Sequence, residues 1–292
     1  MITPVGLAQA LLFGVANGCI YILLATGLNL IFGVMKLVNF AHGQLLMVGA
    51  FIAFEVTTII GLNPYAAILV SMGSVALIGI VLEKFAFRRI RGTDKLNEIF
   101  ISLGLIYVFQ YLATLLWENR YSIQISSPLS GLSLPIGEIA LSYDRILAIV
   151  TVAVILAGLV FLTKKTKIGL AMRATSQKSD AAMLMGININ RVYLFTFAVG
   201  AALAGAAGAI YGIIFPFNPA IGALPTIKAF AIIILGGLGS IPGAVIGGLL
   251  YGIAENITGY LTNSTWQNAV AFALLIAVLI IRPTGLFGQK GE

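Results

Sequence analysis

Long apolar runs separated by short polar breaks set the pattern of this chain. Runs read as membrane-crossing helices at about Leu7–Ile31, His42–Ile60, Tyr65–Phe87, Ile99–Trp117, Ile146–Leu162, Val192–Ile214, Val245–Tyr260 and Trp266–Ile281. Each reaches or approaches the roughly 20 apolar residues that a helix needs to cross a bilayer. A thirteen-residue apolar piece, Thr226–Leu238, is too short to cross unaided and reads as a half-span. None of the runs alternates with a period of two, which argues for helices over a barrel. The expected fold is therefore an all-α, polytopic helical bundle of about eight full spans plus one short broken span, residues 1–292 forming a single transmembrane domain.

Composition agrees: 60% of residues are hydrophobic and 9% charged, too apolar for one water-soluble core. The N-terminal stretch lacks the basic flank and cleavage pattern of a signal peptide, so Leu7–Ile31 is expected to be retained as a span. The net charge of +7 does not point to nucleic acid, because eleven of the 17 basic residues lie in two loops. One holds Lys84, Arg88, Arg89, Arg91 and Lys95; the other holds Lys164, Lys165, Lys167, Arg173, Lys178 and Arg191. That is the bias of cytoplasmic loops. The Ser-, Pro- and Gly-rich loop over about 118–145 carries a small acidic excess and should face outside. If the half-span traverses, the N-terminus is outside and the segment from Arg282 is cytoplasmic; if it is re-entrant, the C-terminus moves outside.

Glycines follow an order. Gly200, Ala204, Gly208 and Gly212 recur every four residues, giving a smooth helix face for close packing. Two Gly-rich breaks, Ile31–Gln44 and Ile234–Gly248, are each followed by a small-residue helix carrying an acid, Glu55 or Glu255, thirteen residues beyond His42 or Pro242. This weak internal repeat of broken helices points to a transport pathway. Candidate pathway positions are Asn39, His42 and Gln44 in one half and Gly237, Gly239 and Gly243 in the other, with helix capping or packing as the competing role of each. Glu55 and Glu255 read as lying near the outer ends of their spans, and Lys228 as snorkelling to an interface.

Catalytic chemistry is thinly supplied. His42 is the one histidine and Cys19 the one cysteine, so no disulfide within the chain, Cys-based metal site or paired-histidine site can form. No catalytic carboxylate pair or phosphate-binding glycine loop appears, so neither an enzyme nor an ATP-binding chain is expected.

Three segments in order, GLNLIFGVMKLVNFAHGQLLMVGAF (Gly27–Phe51), the stretch Gly169–Gly212 containing SDAAMLMGININ, and AIIILGGLGSIPGAVIGGLLYGIAE (Ala231–Glu255), closely resemble the inner-membrane permease subunit of branched-chain amino acid ABC importers. The likeness runs from about Gly6 onward. It implies a cytoplasmic coupling loop, about 164–191, that docks on a separate ATPase through a helix of pattern EAAxxxG. Here Asp180, Ala181, Ala182 and Gly186 match, Asp replacing Glu, with Ser176 or Ser179 expected as the cap and Met183 and Leu184 as an apolar knob. It also implies two ATPase subunits that bind the ATP, no cofactor in this chain, a periplasmic binding protein, and a second homologous permease in a heterodimer, a homodimer being the alternative. Membrane lipid is the expected contact of Lys164, Lys165 and Lys167. Similar permeases carry urea or short amides, so the cargo is open between these and branched-chain amino acids. The rival class, an ion-coupled secondary transporter, would leave the DAAMLMG segment without a role.

Overall fold

The computed structural model describes residues 3–117, 122–282 and 284–288. The expected outer loop is thus described only from residue 122, and the C-terminal segment only in part.

Helix α1 (Pro4–Met35) begins at Thr3, whose Oγ1 accepts the Gly6 amide, with Pro4 at the first helical position. It ends where Lys36 turns left-handed at φ 54°. Its 32 residues span about 48 Å. Next come α2 (His42–Ile59) and α3 (Pro64–Leu82), the latter continuing through a π-helical stretch, Glu83–Phe87, into the short α4 (Arg88–Ile90). Helix α5 (Lys95–Leu116) leads to a two-stranded antiparallel hairpin, β1 (Ser133–Ile136) and β2 (Ile139–Ser142), a small β element in a fold expected to be all-α. Helix α6 (Tyr143–Lys165) returns to α7 (Lys167–Gln177) and the short α8 (Ser179–Leu184); α9 (Ile189–Ile214), α10 (Ala223–Gly236), α11 (Ile241–Leu261) and α12 (Ser264–Ile281) complete the bundle.

Alternation of direction follows from contacts at the two ends. At one, Lys95 Nζ donates to the Lys36 carbonyl, Arg91 reaches Asn190, and the Leu286 and Phe287 amides donate to the Leu235 and Gly236 carbonyls. Both basic loops lie here. At the other, Tyr260 meets Thr3, Trp117 meets Glu55, and Tyr65 meets Asp144. The chain leaves α9 at this second end, passes through a short irregular stretch and a turn at 219–222, and runs on to the basic end as α10. The short piece is thus a half-helix, α10, that ends at the basic end, where the chain turns into α11.

Six described helices, α1, α2, α3 with its continuation, α5, α6 and α9, are long and apolar enough to cross a membrane singly, and seven spans result if the bent pair α10–α11 counts as one. Eight plus a half-span were expected. The difference lies in Val245–Tyr260, which belongs to α11 and is joined to α10 at 118° across the four-residue break Gly237–Ser240, and in Trp266–Ile281, which lies within α12 and is not among the six.

The core forms around α1 and α9, each 78% buried over its most apolar stretch, whereas α5 is 11% buried and lies at the periphery. In lipid, association between helices rests on close packing more than on hydrophobic transfer, and small residues permit it. A Cβ at Gly200 would sit 2.8 Å from the Gly27 carbonyl of α1. One at Gly208 would strike the Leu46 carbonyl of α2, and one at Gly212 would meet Ile125 and Phe217. Ala204, on the same face, is fully buried.

Candidate functional site

At the basic end, α6, α7, α8 and the start of α9 form a folded module in place of a loose loop. Thr166 Oγ1 accepts the Gly169 amide at 3.1 Å to cap α7, Arg173 donates to the Thr163 carbonyl, and Met172 is buried. Helix α8 starts at Lys178 without a side-chain cap. The expected serine cap is not formed: Ser176 Oγ donates to the Arg173 carbonyl, and Ser179 Oγ faces Asp180 Oδ1 at 3.4 Å. The helix closes as a Schellman turn, the Ile187 amide donating to the Ala182 carbonyl at 3.1 Å with Gly186 at φ 82°. A Cβ at Gly186 would meet nothing within 4 Å, so the backbone conformation, not space, calls for glycine there.

Within α8, Ala182 faces inward at 5% exposure, while Asp180 and Ala181 are exposed. Met183, Leu184 and Met185 are 58%, 89% and 84% exposed, an apolar knob facing away from the bundle at its charged end. The other basic loop is tied to this module. Glu83, wholly buried in the π-helical stretch, accepts from Arg88 at 2.9 Å and Arg91 at 2.5 Å. Arg91 also donates to Asn190 Oδ1 at 2.7 Å and lies over the Tyr193 ring. This clamp was not singled out from sequence; an acid immediately before the basic cluster was its signal.

Inside the bundle, Asn39, His42 and Gln44 are buried, near α9 and α10. Asn39 Oδ1 accepts the Ala41 amide at 3.0 Å, a turn-forming role. Neither ring nitrogen of His42 makes a hydrogen bond of normal geometry. A Cβ at Gly222 would collide with the Gln44 amide, and the Gly43 amide donates to Thr226 Oγ1 at 3.0 Å, which brings the start of α2 against the start of α10. Gly237, Gly239 and Gly243 lie at the α10–α11 turn, close to the basic end. Gly236 and Gly243 pack backbone to backbone, and Asn29 of α1 binds the turn through the Gly239 amide and the Ser240 carbonyl. The two groups of candidates thus occupy different depths rather than one cluster. Asn29 was not singled out from sequence.

Lys228 and Glu255 differ from expectation. Both are buried, at 9% and 6% exposure, and pair at 2.5 Å between α10 and α11, with Tyr21 Oη 3.0 Å from Lys228 Nζ. Neither snorkels, because the half-helix begins midway through the bundle. Glu55 does stand at the end remote from the basic loops, accepting from Trp117 Nε1 at 2.6 Å.

A bundle of long apolar helices with a broken pair at its centre defines a polytopic, all-α membrane protein. Residues 10–279 match the family described as branched-chain amino acid transport system / permease component, and the chain belongs to that family. The permease protein BraD of a high-affinity branched-chain amino acid transport system in Pseudomonas aeruginosa is 35% identical over 298 residues, covering 96% of this chain and 95% of BraD. The corresponding protein LivH of Escherichia coli K12 is 34% identical over 300 residues, with 96% and 95% covered. A probable branched-chain amino acid transport permease LivH of Methanocaldococcus jannaschii is 32% identical, covering 91% of this chain and 88% of its own. Among solved structures, PsaBC from Streptococcus pneumoniae in complex with Fab shares the fold at a TM-score of 0.52 and 14% identity, covering 96% of this chain and 93% of that one.

Proposed function

We propose that this chain is the inner-membrane permease subunit of an ATP-binding-cassette importer for branched-chain amino acids. Two ATPase subunits dock from the cytoplasm on α8, and a periplasmic binding protein delivers cargo at the opposite end. A second homologous permease completes the pathway, as a heterodimer. ATP is bound by the partner, and this chain needs no cofactor of its own. Lys164, Lys165 and Lys167, at the α6–α7 corner, serve anionic lipid. Asn39, His42 and Gln44, with the turn at Gly237, Gly239 and Gly243, border the route of the cargo.

The observation that carries this reading is α8: an apolar knob, Met183–Met185, held out at the charged end of a membrane bundle and closed by a left-handed glycine. A lipid-resting loop would explain the lysines and leave Leu184, at 89% exposure, without a partner. The names of BraD and LivH supply the cargo class.

The test is uptake into proteoliposomes that contain the permease, its ATPase, its second permease and the binding protein. Labelled leucine entering only with ATP and binding protein is the expected result. Uptake of urea or a short amide under the same conditions, with none of leucine, replaces the cargo; uptake by this chain alone on an ion gradient overturns the mechanism.

A further inference from the structure

A charged pair, Lys228 and Glu255, lies at the centre of the bundle. Lys228 lies in the sixth position of α10, Glu255 in the fifteenth of the 21 residues of α11, and Tyr21 in the eighteenth of the 32 residues of α1, so all three sit well away from both ends. Ionisable groups at such depth are expensive and mark cargo routes more often than they contribute stability. Two further polar atoms in the same place are unsatisfied. Glu255 Oε2 and the Tyr251 hydroxyl are both buried and make no hydrogen bond, although Glu255 Oε1 is engaged by Lys228. Buried polar groups ordinarily find partners, so this pair of orphans beside an ion pair leaves two hydrogen-bonding positions open to water or a polar ligand. Tyr21 and Tyr251 meet edge to face at 5.9 Å and flank the charges with aromatic surface.

We propose that the Lys228–Glu255 pair, with Tyr21 and Tyr251, is a mid-membrane site for a zwitterionic α-amino acid, the cargo's two charges replacing the internal pair. The carboxylate of the ligand takes the Lys228 ammonium and a tyrosine hydroxyl, and its ammonium takes the Glu255 carboxylate. Empty, the two side chains neutralise each other; loaded, each keeps an opposite charge, and no buried charge is left alone at either stage. A neutral amide offers no such exchange, and a singly charged ligand would strand one partner. This assignment rests on the amino acid reading above and narrows it.

Access runs through α10. Its exposed residues Leu224 and Ile227 are 56% and 49% accessible, and Lys228 follows Ile227 about 100° further round the helix. Gly222 precedes the half-helix, and Gly237, at φ 106°, follows it, and a roll of about 100° about these glycine joints turns Lys228 toward that face.

The test uses the complete transporter in proteoliposomes and the double variant Lys228→Met/Glu255→Gln, which removes both charges together and avoids the penalty of an unpaired one. Leucine carried per ATP hydrolysed is measured against wild type, with leucine-loaded binding protein as donor. The assignment expects this ratio to fall about tenfold or more, the loss of two charge-assisted contacts to the ligand. An unchanged ratio at wild-type rates of hydrolysis and uptake identifies the pair as a packing pin and overturns the site. Equal loss of hydrolysis and uptake in an assembled complex overturns it too, by making the pair a latch for movement. A wild-type complex that carries a neutral amide and no leucine contradicts the cargo reading itself, and this site with it.

Discussion

Asn29 Oδ1 accepts the Gly239 amide at 2.6 Å, while its Nδ2 donates to the neighbouring Ser240 carbonyl at 2.8 Å. One α1 side chain thereby satisfies both a donor and an acceptor of the turn that joins the half-helix to α11. Backbone groups unwound at membrane depth need such partners. Asn29→Ala strips both, at a cost of roughly 1–3 kcal/mol for polar groups left unsatisfied. A lowered melting temperature of the detergent-solubilised permease is expected; an unchanged melting curve would show that water serves the turn equally well.

The close crossing of α2 and α9 makes a second prediction. A Cβ at Gly49 would lie 2.6 Å from the Gly205 carbonyl oxygen and 2.7 Å from its Cα, so the backbones themselves must part. Gly49→Val should therefore destabilise the bundle by about 1–3 kcal/mol or more. Gly158→Val, on the open face of α6 with nothing within 4 Å, is the matched control. Yield of monodisperse protein after detergent extraction should separate the two.

Docking can be tested without disturbing the fold. Leu184 is 89% exposed, so Leu184→Asp should leave the melting curve of the permease in place. Loss of a central apolar contact of 2 kcal/mol or so corresponds to a drop in ATPase affinity of about thirtyfold. Equilibrium binding of the ATPase subunit measures this, and wild-type affinity in the variant would move the docking surface elsewhere.

Glu83 offers a fourth. Glu83→Gln leaves Arg88 and Arg91 without their carboxylate, at a cost of roughly 2 kcal/mol, below the penalty for a wholly buried pair because the arginine side chains are about a third exposed. Because Arg91 also holds Asn190 at the start of α9, the variant should weaken the coupling of ATP hydrolysis to uptake as well as stability. Uptake per ATP indistinguishable from wild type would confine Glu83 to a structural role.

Much of the architecture was legible because apolar length is a local property. The runs beginning at Leu7, Tyr65 and Val192 correspond to α1, α3 and α9, and the shortness of Thr226–Leu238 announced a half-helix. Partner choice was not legible. Lys228 and Glu255 are 27 residues apart, and each taken singly has an inexpensive explanation at an interface; only the 118° reversal between α10 and α11 brings them together. Asn29 was invisible for the same reason, its partners lying 210 and 211 residues away. Serine was a reasonable cap for α8, yet the turn into Lys178 leaves Ser179 inside the helix, facing Asp180.

The most direct test of the whole account is ATP-dependent leucine uptake by the reconstituted transporter, comparing wild type with Gly186→Arg. An L-residue at φ 82° is strained and its long side chain would stand beside the knob of α8. Uptake that requires ATP and binding protein in the wild type, and is lost in a variant that still inserts and assembles, is the predicted result. Uptake by this chain alone, driven by an ion gradient and indifferent to Gly186→Arg, would contradict it.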